Sequence, residues 1–170
     1  MADDRMGEKI VGKQEREITL RVVVVDPPAG VVWRMQRGRH ELVDPVSAAE
    51  GRLVFDAAVR VGGDRPDGGP NLLGPFAHGR PDDRFLYVNS GTSAGQHPSP
   101  WSRRAKVKLA GIDWGLVERA ESDPDTVLEV RFAGTLRDGS PACATVPLLD
   151  GGWRAVRGGA TRAGTARKAG

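Results

Sequence analysis

The sequence is poor in the features that mark disulfide-rich, membrane and secreted proteins. Its 170 residues include one cysteine, Cys143, which permits no internal disulfide and is typical of a reducing compartment. The longest apolar run that could be considered for a membrane span, Val22 to Val25, is far shorter than the roughly 20 apolar residues of a membrane-spanning helix. Residues 1–16 mix acids with bases and lack the apolar core of a secretory signal. We therefore expect a soluble, cytoplasmic protein that does not cross a membrane.

Histidine and spaced acidic clusters are scarce as well. The three histidines, His40, His78 and His97, have no H-x-x-x-H or C-x-x-C companions, so no metal-ligand spacing is visible. The acidic pair at 82–83 lacks the spacing of a calcium loop. The glycine pairs are not followed by Lys-Ser/Thr or by a helix, which argues against a phosphate-cradling loop. We therefore expect no metal and no cofactor.

Glycine and proline, by contrast, are abundant. The 23 glycines and 12 prolines predict many turns between short elements, which favours sheets joined by loops over a helical bundle. Hydrophobic residues make up 39% and charged residues 28%, close to the average of globular domains, so one folded domain is the expectation.

Positive charge is concentrated at the end of the chain. The net charge is +3, but residues 154–170 carry five cations and no acid, which leaves −2 for residues 1–153. The folded part is therefore nearly neutral, and the high isoelectric point belongs to the tail. We expect a flexible leader at 1–16, one β-rich domain at 17–157 and a flexible basic tail at 158–170.

Period-two alternation of apolar and polar residues predicts about eight strands. The clearest is at 52–61, where Leu53, Phe55 and Ala57 face one side while Arg52 and Asp56 face the other. The remaining strands are predicted at 17–25, 31–37, 84–89, 103–109, 127–133, 142–148 and 153–156. The first two would form a hairpin across the turn at 26–30, and residues 62–74 would form a long loop.

One helix is predicted. Asp113 is a suitable N-cap for a helix from Trp114 to about Ala120, with Ile112 and Val117 at the positions of a hydrophobic staple. The predicted strands do not alternate with helices, so the sequence carries no signal of a parallel sheet. The predicted fold is mainly β: an antiparallel sandwich or small barrel of about eight strands, with one short helix near residues 114–120.

The run Gly91-Thr92-Ser93-Ala94-Gly95 matches G-x-S-x-G, the pattern of a nucleophilic serine on a strand-to-helix turn. Two prolines at 98 and 100 stand where the helix should begin, so a turn that needs glycine is the simpler interpretation. A small hydrolase or transferase that uses Ser93, or Ser90 with His97, stays an alternative. We favour a role that is not enzymatic.

The most concentrated polar segment is residues 74–106. It gathers hydrogen-bonding side chains and cations around aromatic residues, and Arg104, Lys106 and Lys108 line one face of a predicted strand. The alternative is that Tyr87 and Trp101 pack in the core while the cations form an ordinary solvated face. The candidate ligand-binding residues are Arg84, Tyr87, Asn89, Thr92, Gln96, Trp101, Arg103 and Arg104.

Two stretches of this segment carry a family resemblance. The run GPFAHGRPDDRFLYVNSGTSAGQ, followed by WSRRAKVKLAGIDW, resembles a bacterial domain family of unknown function, numbered fifty-nine ninety. The similarity covers about Ile18 to Val156. The resemblance implies no reaction, so it assigns no catalytic residue.

Three functions remain in competition. The first is a ligand-binding or protein-interaction module that holds a small polar or anionic ligand, or a protein partner, along residues 74–106. The second is the Ser93 hydrolase. The third is weak nucleic-acid association through the strand cations and the basic tail, which the aromatic content of 5% and the neutral domain disfavour.

Overall fold

A computed structural model of the protein describes residues 16–37, 41–74, 85–91, 104–134 and 147–158. These ranges hold ten strands and one helix. In chain order they are β1 Arg16–Val25, β2 Val32–Arg37, β3 Glu41–Val43, β4 Ser47–Ala49, β5 Arg52–Asp64, β6 Pro70–Leu73, β7 Phe85–Gly91, β8 Arg104–Lys108, α1 Trp114–Ser122, β9 Thr126–Ala133 and β10 Leu148–Arg157.

The strands form two sheets. Sheet A has the order β10-β9-β1-β5-β4, with β6 also paired to β5. Sheet B has the order β3-β2-β7-β8. Every pairing is antiparallel except that of β1 with β9, which is parallel. The described strands form no closed barrel, so the sandwich is the alternative that the structure supports.

One hydrophobic core joins the inner faces of the two sheets. Alternation along β1 turns Leu20 and Val22 inward, where both are fully buried. Sheet B contributes Met35 and Val88 from its inner face, and both are also fully buried. The same cluster includes Phe55, Val107, Val117 and Phe132. Burial of this apolar surface is the main force that holds sheet B on sheet A.

Helix α1 closes one end of the core. The Asp113 carboxylate accepts a hydrogen bond of 2.8 Å from the backbone N–H of Leu116, as the predicted N-cap requires. Ile112 and Val117 are fully buried, which agrees with the staple. The helix runs two residues beyond the predicted end at Ala120, to Ser122.

The tertiary pairing corrects two local predictions. The hairpin of β1 with β2 is wrong, because β1 pairs with β5 and β9 in sheet A while β2 pairs with β3 and β7 in sheet B. The long loop at 62–74 is also wrong. Strand β5 continues to Asp64 and β6 begins at Pro70, so this stretch is a hairpin whose glycines tolerate an irregular register. Strands β3 and β4 were not predicted, because three residues each are too few to show an alternation of apolar and polar side chains.

The turn of this hairpin is held by one carboxylate. Asp67 accepts two hydrogen bonds from the Arg65 guanidinium, at 2.9 and 3.0 Å, and one of 3.0 Å from the backbone N–H of Gly69. The Gly69 N–H and the Arg65 guanidinium lower the pKa of Asp67 below its ordinary value. The ionised carboxylate therefore stabilises the turn.

Replacing the helix cap tests the start of α1. We expect Asp113→Ala to lower the free energy of unfolding by about 1 kcal/mol, because the Leu116 N–H loses its acceptor. Urea denaturation measures the loss. Asp113→Asn keeps an acceptor and should recover most of it, and Glu118→Ala on the exposed helix face is the control. An equal effect of the Asp113→Ala and Glu118→Ala changes would contradict the capping role.

Acidification tests the Asp67 turn. A carboxyl whose pKa is lowered by folding adds stability above its unfolded pKa and loses that stability as the pH falls through the folded pKa. We expect Asp67→Asn to melt below the wild type at neutral pH, with the difference in Tm shrinking as the pH falls below the ordinary aspartate pKa of about 3.9. Glu50→Gln, in the turn before β5, is the control. A Tm difference that stays constant with pH would refute the role of the charge.

Candidate binding site on the outer face of sheet B

The outer face of sheet B carries polar residues because its strands alternate strictly. Leu86 and Val88 of β7 are buried against the core, so Tyr87 and Asn89 point to the opposite face. In β8, Ala105 and Val107 are buried, which places Lys106 on the same outer face. The alternation that builds the core therefore also builds this polar surface.

Strand pairing arranges these residues in two rows. In one row Tyr87 stands between Gln36 of β2 and Lys106 of β8. In the other row Asn89 stands between Arg34 and Arg104. We call Gln36, Tyr87, Asn89 and Lys106 the sheet B cluster. Its members come from three strands that are up to 70 residues apart in the sequence.

Two members of the cluster are buried although they lie on the face away from the core. Asn89 is 4% exposed and Gln36 is 9% exposed. Within the part of the chain that the structure describes, the carbonyl oxygen Oδ1 of Asn89 accepts no hydrogen bond. A buried amide oxygen without a donor costs free energy, and buried polar groups in proteins normally have partners. The position of Asn89 therefore calls for a donor from elsewhere.

The cation of the cluster rests on aromatic rings. The Lys106 ammonium lies 5.1 Å from the ring centroid of Phe85 and 5.9 Å from that of Tyr87. The two rings are 6.1 Å apart and are tilted by 42°. Such cation–π contacts hold an ammonium near an apolar surface without neutralising its charge. Arg34, on the same face, differs from Lys106 in that it is paired with an acid: its Nε donates to Asp44 Oδ1 at 3.1 Å.

The structure places three of the sequence-predicted site residues in or beside the cluster. Tyr87 and Asn89 share one face of β7, and the backbone register puts Arg104 opposite Asn89. Tyr87 does not belong to the core. The other five candidates lie outside the described residues: Arg84, Thr92, Gln96, Trp101 and Arg103. Ser93 and His97 also lie outside them.

Gln36 and Lys106 are the two cluster residues that the sequence-based site candidates did not include. The alternation of β2 predicts that Gln36 points away from Trp33 and Met35. That pattern carries no information about the strand with which β2 pairs. Lys106 is recognisable in the sequence as one of three cations on a strand face. Its contacts with Phe85 and Tyr87, however, depend on the register between β7 and β8.

Comparison with known proteins finds one matching family. Residues 18–156 match a family described as "Family of unknown function (DUF5990)". The chain belongs to this family. The matched range reaches from β1 to β10 and confirms the resemblance found in the 74–114 stretches. No curated protein and no solved structure matches the chain.

The DUF5990 domain has other buried side-chain atoms without a partner among its described residues: Trp33 Nε1, Asn71 Oδ1 and Glu121 Oε1. No three His, Cys, Asp or Glu side chains in these ranges are close enough together to hold a metal ion. Searching the same ranges for a long, apolar helix that would span a bilayer finds none. The sheet B cluster is distinguished by the cation and the two aromatic rings that share the sheet face with its buried amide.

A charged ladder on the outer face of sheet A provides a contrast. Arg21 donates two hydrogen bonds to Asp56, at 2.8 and 2.9 Å, and one of 3.0 Å to the backbone carbonyl of Gly158. The neighbouring Glu129 accepts from Arg131 at 2.7 Å and from Arg154 at 3.3 Å. Arg21 and Glu129 are 4% and 6% exposed. Because these groups satisfy one another, the ladder is a structural feature of the DUF5990 domain.

Removing Arg21 tests this structural role. We expect Arg21→Met to lower the free energy of unfolding by about 3 kcal/mol, because Asp56 and the Gly158 carbonyl lose a buried donor. Urea denaturation measures the loss. Adding Asp56→Leu should recover part of it, since no unpaired carboxylate then remains.

Arg16→Met is the matched control, because Arg16 lies on the same strand but pairs with Glu121 at the surface. We expect it to cost about 1 kcal/mol or less. Equal losses for the two variants would contradict the ladder's role.

Proposed function

We propose that the chain is a binding module for a small polar ligand with negative charge, held on the outer face of sheet B. The observation that carries the proposal is Asn89, a buried amide whose Oδ1 has no donor among the described residues. A protein tolerates such a cost where a ligand supplies the missing partner.

The sign of the ligand's charge follows from the neighbours of Asn89. Lys106 and Lys108 stand on β8, and the register places Arg104 on the same strand opposite Asn89. Asp44, the acid that reaches this face at Arg34, is already engaged there. An anion on this face would gain charge-assisted hydrogen bonds from Lys106, whose ammonium is not paired with a carboxylate among the described residues.

The setting of the residues also supports binding. Tyr87 and Asn89 belong to a strand with neighbours on both sides, so their backbone positions are fixed by hydrogen bonds to β2 and β8. Sites on such rigid elements hold ligand contacts more accurately than sites on loops. We place this module in a reducing, cytoplasmic environment because its one cysteine, Cys143, has no disulfide partner.

Replacing Asn89 by leucine separates binding from stability. Leucine has a similar size and removes the amide that lacks a donor, so we expect Asn89→Leu to melt no lower than the wild type. The same change should abolish the rise in Tm that a bound anion produces. Differential scanning fluorimetry with citrate, glutamate and ribose 5-phosphate measures both effects.

Three further variants complete the test. Lys106→Gln should weaken the ligand-dependent rise in Tm, whereas Arg52→Gln, an exposed cation of sheet A, should leave it unchanged. Asn71→Leu is the control for Asn89, since its Oδ1 also lacks a partner among the described residues but lies in β6 of sheet A. A ligand-dependent rise that survives both Asn89→Leu and Lys106→Gln would refute the proposed site.

A further inference from the structure

The spacing of the sheet B cluster restricts the shape of the ligand, on the assumption that the proposed function holds. The Lys106 ammonium lies over the rings of Phe85 and Tyr87, whereas Asn89 follows two residues after Tyr87 on the same face. At about 3.3 Å per strand residue, roughly 10 Å separate the cation from Asn89 along β7. A compact anion such as phosphate cannot contact both groups.

The two ends of this span ask for different chemistry. Lys106 carries a positive charge and takes an anion. Asn89 Oδ1 is an acceptor, so the other end of the ligand must present an N–H or O–H donor. After allowing about 2.9 Å for each hydrogen bond, the anion and the donor of the ligand lie roughly 4 to 10 Å apart.

Tyr87 occupies the space between the two ends. Its ring, with Phe85 at 6.1 Å, forms a short aromatic surface on the sheet, and Lys106 covers that surface with a flexible side chain. An anion that draws the ammonium outward would uncover the Tyr87 ring for a flat group. Aromatic side chains on the face of a sheet, flanked by cations, stack nucleobases in single-strand binding domains.

From this arrangement we infer that the sheet B cluster binds a nucleoside monophosphate unit. The phosphate contacts Lys106, the base lies against Tyr87, and an N–H of the base edge donates to Asn89 Oδ1. All four common bases carry such an N–H on their pairing edge, so the cluster accepts the nucleotide class without choosing one base. The unit belongs to a free nucleotide or to a single strand, since both present the same groups.

Titrations followed by two-dimensional NMR of the full chain test the inference with three probes. Adenosine 5′-monophosphate should shift the backbone amides of β7 and β8 and the side-chain amide of Asn89. Ribose 5-phosphate, which lacks the base, should bind about ten-fold more weakly and leave the aromatic resonances of Tyr87 unshifted. Adenosine, which lacks the anion, should bind with an affinity that depends little on salt.

Variants separate stacking from general disruption. Tyr87→Leu should weaken adenosine 5′-monophosphate by about ten-fold and leave ribose 5-phosphate unchanged, whereas Tyr87→Phe should retain both affinities. Thermal melts of each variant establish that it folds. An octanucleotide that binds far more tightly than the monophosphate, with a steep salt dependence, identifies a single strand as the source. Equal affinity identifies the free nucleotide.

The outcomes distinguish this inference from the function on which it rests. If ribose 5-phosphate binds as tightly as adenosine 5′-monophosphate and shifts the same amides, the nucleotide assignment is wrong while an anion site on sheet B remains. If the nucleotide binds but Tyr87→Leu leaves its affinity unchanged, the assignment is also wrong. If no anionic probe shifts β7 or β8, both proposals fail.

Discussion

The burial of strand β1 on both of its faces is the constraint on which the other elements depend. Its inner face supplies Leu20 and Val22 to the core. On its outer face Arg21 is buried and donates hydrogen bonds to Asp56 and to the Gly158 carbonyl. A strand buried in this way needs neighbours on both edges, which β5 and β9 provide. The core formed over β1 then holds sheet B in place, and sheet B holds the candidate site.

The two charged or polar surfaces of the sandwich differ in how their hydrogen bonds are satisfied. On sheet A, Arg21, Asp56 and Glu129 find partners within the chain, and the result is a connection between strands that are distant in sequence. On sheet B, Asn89 is equally buried but its Oδ1 has no donor in the described ranges. A satisfied buried charge contributes to the structure, whereas an unsatisfied buried amide is a cost that binding can offset.

Sheet B also shows how a scaffold gives a site its accuracy. The residues that face the core, such as Val88 and Val107, fix the two strands against the other sheet. Because neighbouring side chains alternate, every displacement of the polar row would also displace the core row. The backbone positions of Tyr87 and Lys106 relative to each other are therefore fixed by the strands that carry them. The cation–π contacts of Lys106 add a local restraint on the charge.

Elements with local signals are predictable from the amino-acid pattern alone. Alternation predicted β1, β5, β7 and β8, and the capping residue Asp113 predicted the start of α1, because each signal lies within a few residues of the structure that it specifies. The choice of neighbouring strands is visible only in the folded chain. It separated β1 from β2, made β1 parallel to β9, and brought Gln36 beside Tyr87. Such pairings depend on burying one face of each strand against a common core, and alternation shows which face is buried but not which strand lies beside it.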